Sequence, residues 1–461
     1  MKSYLKSIVT IYLKMDVLIE TLTKKAEANS RIGDHWFREH NIKRGLRNED
    51  GTGVKAILTE ISDVTGYERV DGGVVPVEGR LVYRGIEIND LVNGFLSEGR
   101  YGFEETAYLL MFGETPNQAE LSEFSQALTD QRKLPDGFVN GIILAFPDND
   151  IMNKLMTTVT VLGREDSRVM DTSTGNVIRQ CTSLIAKFPT IVAYAYQAKK
   201  SQDGGSLFIH PPNGSKSAAE NFLYMLREDK QYTSLEAQVL DMMLVLHADH
   251  SGGNNSTFTN HVVTSTLTDT YSAMVAALAS LKGPLHGGAS MKVMEMVDDL
   301  KAHITDWENE GQITDYLTRI LTKEAFDHEG KIWGMGHAVY TLSDPRAVLL
   351  RGKSEELAAA KGRSEEFRLY EAVARITKEV MSRQKGREVA IAPNVDYYSG
   401  FVYGCMGFPR DIYTSLFAMA RIAGWSAHRI EELINGKKII RPASVYVGPR
   451  NIGFVPLAKR V

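Results

Sequence analysis

Residues 269–304 read DTYSAMVAALASLKGPLHGGASMKVMEMVDDLKAHI. Tyr271, Met274, Val275 and Leu278 fall at helical spacing and make one apolar face, with alanines and serines elsewhere. Gly283 and Pro284 stop that helix, and a second helical pattern starts at Ala289 and runs to Ile304. Two helices joined by a Gly-Pro turn, with His286 inside it, set the pattern for most of the chain. The same period recurs in Phe103–Gly113, Ala218–Arg227, Ser234–Asp249, Pro345–Lys361 and Ile412–Ala423. The first fifty residues predict charged helix, with Leu18, Ile19, Leu22 and Ala26 at helical spacing between Lys24, Lys25 and Glu27. A β signal is confined to Gly51–Gly85, where Val54–Glu60, Gly72–Val77 and Arg80–Gly85 predict short strands between glycine turns. Ser201–Ser217, rich in Gly, Ser and Pro, predicts a loop. The expected fold is mostly α with a small N-terminal β region.

Composition narrows the class. The chain has 461 residues, 43% hydrophobic and 24% charged, enough for a sizeable core and, by length, about three domains or one large unit with a smaller partner. Lys+Arg total 53 against Asp+Glu 57, so no general affinity for nucleic acid or an anionic membrane is expected. Two cysteines, Cys181 and Cys405, exclude a disulfide framework or a Cys-based zinc site and suit a reducing compartment. Lys2 and Lys6 precede the apolar stretch Ile8–Leu13, but Lys14 and Asp16 end it without a small-residue cleavage site, so no signal peptide is expected. No run of about 18 apolar residues predicts a membrane span. The cytoplasm is the expected compartment.

Chemistry enters through the histidines. Seven of the 11 lie between His247 and His337. His286 sits in Lys282-Gly-Pro-Leu-His-Gly-Gly-Ala289, a tight turn between packed helices, where reactive groups are readily placed; capping a helix is the plainer role. His337 sits in Gly334-Met-Gly-His-Ala-Val-Tyr-Thr-Leu-Ser-Asp-Pro-Arg346, whose glycines let backbone approach a ligand closely. There Asp344 is a natural N-cap and Pro345 a natural first helical residue, which puts Arg346 in a first turn that already favours an anion. Asp396, in Pro393-Asn-Val-Asp-Tyr-Tyr-Ser-Gly400, stands just ahead of a helix, as an N-cap or as a general base. Arg421 is a lone charge in the apolar Leu416–Trp425, so a bound anion is a candidate partner. Arg441 precedes Pro442 in a short segment near the C-terminus. His247 and His250, three apart, share a helix face if the helix runs on, but the polar loop Gly252–Thr257 offers no second ligand pair, so no metal is expected.

In order, Lys282–Ser290, Gly334–Arg346 and Asn394–Gly400 resemble the three signature segments of citrate synthases. His247–Thr259, Phe417–Trp425 and Lys438–Pro442 are similar to that family's other substrate-binding segments, and Tyr83–Gly85 and Phe103–Gly113 to its N-terminal half. The resemblance spans about residues 44–450. Met335, Ser290 and Ala338 depart from the residues frequent in the family at those places, which bears on acyl-chain selectivity and coenzyme affinity rather than on reaction class.

The resemblance implies a homodimer that condenses acetyl-CoA with oxaloacetate to citrate and coenzyme A, with no cofactor and no metal. It implies a large domain of 46–285 and 395–461, with 1–45 as its helical extension, and a small domain of 286–394 that closes on substrate. It makes Asp396 the base, His286 the donor to the thioester oxygen, and His337 the group that polarises the oxaloacetate carbonyl and protonates the new alkoxide. His250, Arg346, Arg421 and Arg441 would hold the carboxylates, with Arg441 donated across the dimer. Coenzyme A would lie along Lys331, Ile332, Trp333, Gly334, Met335 and Gly336. The physics agrees, since an enolate needs a donor fixed where charge develops in a dry site. A 2-methylcitrate synthase using propionyl-CoA shares these residues, because one methylene is worth only about 1–3 kcal/mol of discrimination. A non-catalytic acyl-CoA or dicarboxylate sensor of the same fold would be expected to lack one of the three catalytic groups.

Overall fold

The computed structural model describes residues 2–71, 73–436, 438–451 and 453–460, with side chains from residue 16 onward. The apolar side chains of Ile8–Leu13 and the predicted strand start at Gly72 lie outside these residues. The chain forms two compact units, residues 1–55 with 442–461 and residues 56–441. In the first, α1 (Lys2–Asn29) and α2 (Asp34–Glu39) supply the helix predicted for the first fifty residues. Val17, Leu18, Ile19 and Leu22 on α1 are exposed in the single chain.

The second unit begins with a three-stranded antiparallel sheet of β1 (Ser62–Val70), β2 (Gly73–Tyr83) and β3 (Ile86–Glu87), in the order β1-β2-β3. β1 and β2 pair from Ser62 opposite Tyr83 to Val70 opposite Gly73. The strand predicted at Val54–Glu60 does not form. No neighbouring strand is there to complete its hydrogen bonds, Leu58 is 97% exposed, and Ile57 turns onto Gly252 instead. Helices follow: α3 (Ile88–Ser97), α4 (Phe103–Phe112), α5 (Gln118–Gln131), α6 (Ile151–Glu165), α7 (Thr174–Gln202), α8 (Ala218–Leu226), α9 (Ser234–His247), α10 (Asn255–Thr264), α11 (Thr270–Lys282), α12 (Ala289–His303), α13 (Glu310–Leu321), α14 (Pro345–Ala360), α15 (Ser364–Lys385), α16 (Val395–Cys405) and α17 (Tyr413–Asn435). The protein is mostly α, as predicted, and Gly113 closes α4 in the left-handed conformation.

α9 and α17 are apolar on nearly every face and are buried accordingly. α17 packs against α4, α6, α7, α9, α10 and α11, and carries Arg421, Trp425 and Arg429 fully into the interior. The β hairpin backs the loop at 337–344: a Cβ on Gly66 would come 2.5 Å from the Val339 carbonyl oxygen, and one on Gly79 would overlap Ser343 and Tyr340. Cys181 and Cys405 are both free and buried. Among the described residues no helix is long and apolar enough to cross a membrane.

Candidate active site

α9 stops at His247 because groups from elsewhere take its last carbonyls. Arg421 Nε donates to the His247 carbonyl at 2.7 Å. Gly424 N–H donates to the Ala248 carbonyl at 3.1 Å, and Tyr83 Oη lies 3.1 Å from the Val245 carbonyl and accepts from Asp249 N–H at 3.1 Å. Only glycine fits at 424, since a Cβ would overlap Ala248 O and Asp249 Oδ1. The shared helix face expected for His247 and His250 is therefore not formed. His247 is a core histidine with Nδ1 2.8 Å from the Met243 carbonyl, and His250 lies beyond the helix end.

His250 is 9% exposed, and its Nε2 is buried without a hydrogen-bond partner. Its ring stands edge-on to His337, with centroids 5.1 Å apart, and to Tyr340 at 5.7 Å. Burial, then the charges of Arg346, His337, Arg421 and His286, hold it well below the ordinary imidazole range, so it is neutral at pH 7.

His337 is delivered by two glycines in the left-handed region, Gly334 at φ 78° and Gly336 at φ 83°. Their backbone pairs with the start of α16: Gly336 N–H donates to Ala392 O at 2.8 Å and Asn394 N–H to Gly334 O at 2.9 Å. His337 Nδ1 accepts from the N–H groups of Val339 and Tyr340, at 3.0 and 3.2 Å. With Nδ1 an acceptor, the ring proton sits on Nε2, which makes His337 a donor on its far side.

His286 occupies the predicted turn. Gly287 is pinned there, its N–H 2.9 Å from Leu281 O and its carbonyl accepting from Thr414 Oγ1 at 3.1 Å. His286 Nε2 is 3.0 Å from Ser256 Oγ, which also accepts from Trp425 Nε1 at 3.2 Å. The Ser256 hydrogen points to Asn254 Oδ1 at 2.9 Å or, rotated, to His286. In the rotated state Nε2 accepts and Nδ1 carries the proton as a donor. Burial, then Arg421, brings His286 down to about 4, so it too is neutral at pH 7.

Asp396 lies in the first turn of α16 rather than ahead of it. The N-cap is Asn394, whose Oδ1 accepts from Asp396 N–H at 3.0 Å. This leaves the Asp396 carboxylate free of capping duty. Burial raises it to about 6, with Arg346 pulling down, Asp344 pushing up and Arg421 pulling down.

Arg346 stands in the first turn of α14, behind the cap Asp344 and Pro345, as predicted. Asp344 does more than cap. It takes Arg346 bidentately, through Nε at 3.0 Å and Nη2 at 2.7 Å, and accepts Val395 N–H at 3.2 Å. Arg421 is the opposite case. It is fully buried, Nε is used, and Nη1 and Nη2 have no hydrogen-bond partner. Burial brings its pKa down to about 10, with Asp249 opposing at longer range.

The structure thus brings His250, His286, His337, Arg346, Arg421 and Asp396 into one electrostatic neighbourhood. Arg441 is different: it is exposed on the segment after α17, and no hydrogen bond or ion pair joins it to those six. In 331–336, Lys331 is exposed with its ammonium 3.8 Å from the Trp333 ring centroid, while Ile332, Trp333 and Met335 are buried, which leaves backbone for a ligand. The sequence did not single out Ser256, Asp249 or Tyr340. The polar loop 252–257 and the one-residue offset from His250 were the only signals for the first two.

Residues 48–443 match the family described as citrate synthase, C-terminal domain. The chain is 36% identical to the citrate synthase of Synechocystis sp. over 91% of its length and 94% of the relative's. It is 33% identical to a 2-methylcitrate synthase of Corynebacterium glutamicum, over 88% of its length and 97% of the relative's. Among solved structures it resembles citrate synthase from Pyrobaculum aerophilum, with TM-score 0.73 and 31% identity over 88% of this chain and 94% of that one. It also resembles a ternary complex of carboxymethyl coenzyme A and oxaloacetate with citrate synthase from Thermoplasma acidophilum. There the TM-score is 0.74 and the identity 27%, over 91% of this chain and 99% of that one.

Proposed function

The chain belongs to the citrate synthase family, and we propose that its six clustered side chains perform the condensation of acetyl-CoA with oxaloacetate to citrate and coenzyme A. The observation that carries the residue assignment is Arg421, a fully buried guanidinium with two nitrogens unpartnered beside an equally unpartnered His250 Nε2. A buried guanidinium with two nitrogens unsatisfied is disfavoured, so the cluster is built to receive an anion.

Oxaloacetate brings two carboxylates. Arg421 and His250 take one, and Arg346 the other, together with the partner's Arg441 across a homodimer. His337 Nε2–H donates to the ketone oxygen, which leaves the carbonyl carbon electrophilic. Asp396 removes a proton from the methyl carbon of acetyl-CoA, and His286 Nδ1–H steadies the enolate oxygen. The enolate carbon bonds to the ketone carbon, and the resulting alkoxide takes the Nε2 proton of His337 to give citryl-CoA. Water then splits the thioester, releasing citrate and coenzyme A. An Asp396 pKa near 6 makes a carboxylate still ionised at pH 7 yet a stronger base than one in water. Residues 286–394 close over the substrates against 46–285 and 395–461, and coenzyme A runs along the backbone of 331–336. No cofactor or metal enters the reaction, and the enzyme works in the cytoplasm.

Thiol release from purified protein and oxaloacetate tests this, with acetyl-CoA and propionyl-CoA compared at matched concentrations. Faster release from acetyl-CoA is expected. Preference for propionyl-CoA would assign the same residues to 2-methylcitrate synthesis, in keeping with the similarity to the Corynebacterium relative. No release from folded protein with either thioester would refute catalysis. Mixing an Arg441→Ala chain with an Asp396→Asn chain tests the shared site: restored activity requires Arg441 to act in trans.

A further inference from the structure

A second group of titratable side chains gathers behind the site, between α10 and α17. His261 Nε2 lies 3.1 Å from His428 Nδ1, and His428 Nδ1 lies 3.9 Å from Glu431 Oε2. One ligand atom from each of the three residues falls within 4.8 Å of the others. Both rings are buried, and the Glu431 side chain is only 12% exposed. His428 and Glu431 are three residues apart on one face of α17, and His261 faces them from α10.

The surroundings fix which ring nitrogens carry protons. His261 Nδ1 is 2.9 Å from Glu432 Oε2, and His428 Nε2 is 3.2 Å from Asp249 Oδ2. A carboxylate at the far nitrogen of each ring makes that nitrogen the N–H donor and leaves the near nitrogen with its lone pair. Asp249 is held as an acceptor, since the Ser62 hydroxyl and the Ser251 N–H (2.9 Å) also donate to Oδ2. Two lone pairs therefore meet between the rings. Glu431 Oε2 points into the same gap: it is buried without a hydrogen-bond partner, while Oε1 takes the Glu60 N–H at 2.8 Å. One proton between the rings would leave Glu431 Oε2 unsatisfied. One cation satisfies all three atoms.

We propose that His261, His428 and Glu431 bind a divalent cation of the zinc class, oriented by Glu432 and Asp249. Two imidazoles and a carboxylate are a zinc donor set, and tetrahedral ligation at zinc spaces its donors about 3.3–3.4 Å apart. The 3.1 and 3.9 Å separations bracket that spacing. Imidazole ligands that pass their other N–H to a carboxylate are the usual support of such a site. The ion ties α10 to α17, with His428 passing its other nitrogen to Asp249, the residue before His250, and takes no part in the chemistry.

The test uses the full chain, stripped with a chelator and reloaded with zinc chloride. Bound metal is counted by mass spectrometry, affinity is measured by calorimetry, and thermal unfolding is followed with and without zinc. About one zinc per chain is expected, with a higher unfolding midpoint when loaded. Cobalt(II) should give visible absorption bands of a tetrahedral site. Glu431→Gln and His428→Gln should abolish both signals, and Glu432→Gln should weaken zinc binding by about 10- to 100-fold. Folded protein that takes up no zinc would overturn the proposal in favour of a buried proton shared by the rings. So would zinc bound equally well by the folded Glu431→Gln and His428→Gln variants.

Discussion

Arg421→Met separates a binding role from a structural one, because the two roles predict opposite changes. Met keeps the length and apolar stem of arginine and removes the guanidinium. If Arg421 meets an oxaloacetate carboxylate, the variant loses a buried, hydrogen-bonded charge pair, which costs about 2–5 kcal/mol. The oxaloacetate Kd should then rise by about 30- to 5,000-fold. Stability should not follow. Without substrate the guanidinium is buried with two nitrogens unpartnered. Its depression to about 10 corresponds to about 3 kcal/mol of lost solvation at neutral pH. Met recovers that loss. It forfeits the Nε bond to His247 O, worth about 1 kcal/mol. It also forfeits the contact with the Phe417 ring at 4.7 Å, worth about 1–2 kcal/mol. The substrate-free variant should therefore be as stable as the parent or up to about 1 kcal/mol more so. Calorimetric titration with oxaloacetate and urea unfolding of the free protein read the two quantities. A lower urea midpoint with an unchanged Kd would refute the reasoning and make Arg421 a prop for the end of α9.

Asp396→Asn should lower kcat by about 10²- to 10⁴-fold without weakening oxaloacetate binding, which should tighten if anything because a negative charge leaves the pocket. In the parent with oxaloacetate bound, kcat/KM for acetyl-CoA should fall as pH drops toward about 6 from above, with no second limb from His286, which is neutral above about 4. The same shift has a sign for stability. A carboxylate raised on folding binds its proton more tightly in the native state, so ionised Asp396 subtracts stability in full above about pH 6 and nothing below about pH 4. Asp396→Asn should raise the urea midpoint at pH 8 and leave it unchanged near pH 4. Ser256→Ala should lower kcat by about 10²-fold, with the oxaloacetate KM little changed, because His286 loses the hydroxyl that sets its tautomer; unaltered kcat would dismiss that assignment. Asp344→Asn leaves Arg346 buried without its bidentate partner and should cost about 3–5 kcal/mol, read by urea unfolding.

What could be read from the sequence was local. The Gly-Pro…Gly-Gly frame of His286, the Asp344-Pro345-Arg346 helix start and the amphipathic α11 and α12 are decided by neighbours a few residues apart, and all stand as expected. Three features were not legible, for separate reasons. Val54–Glu60 has strand composition, but a strand exists only with a partner, and none is there. α9 ends three residues short of His250 because Arg421 and Gly424, more than 170 positions away, take its carbonyls. α7 gives no amphipathic stripe, because it is buried from Asn176 to Ala198 on several faces and carries Pro189 inside. Ser256 acts through a histidine 30 residues on, and the His261–His428 contact spans 167.

Asp344 grips Arg346 with both carboxylate oxygens and the head of α16 with one of them, Oδ2. Arg346 and Arg421 are the groups that hold Asp396 down against burial. A dicarboxylate arriving at those two guanidiniums neutralises the influence that keeps Asp396 acidic, and its proton affinity must climb. The base is therefore weakest while the pocket is vacant and strongest once the acceptor is seated. Acidity is then a clock. An enolate drawn from the thioester before its electrophile is in place would have nothing to attack, and the arrangement of charge delays that event until it is useful. Oxaloacetate should bind first, and methyl-proton exchange from acetyl-CoA into solvent should be slow until a dicarboxylate is present.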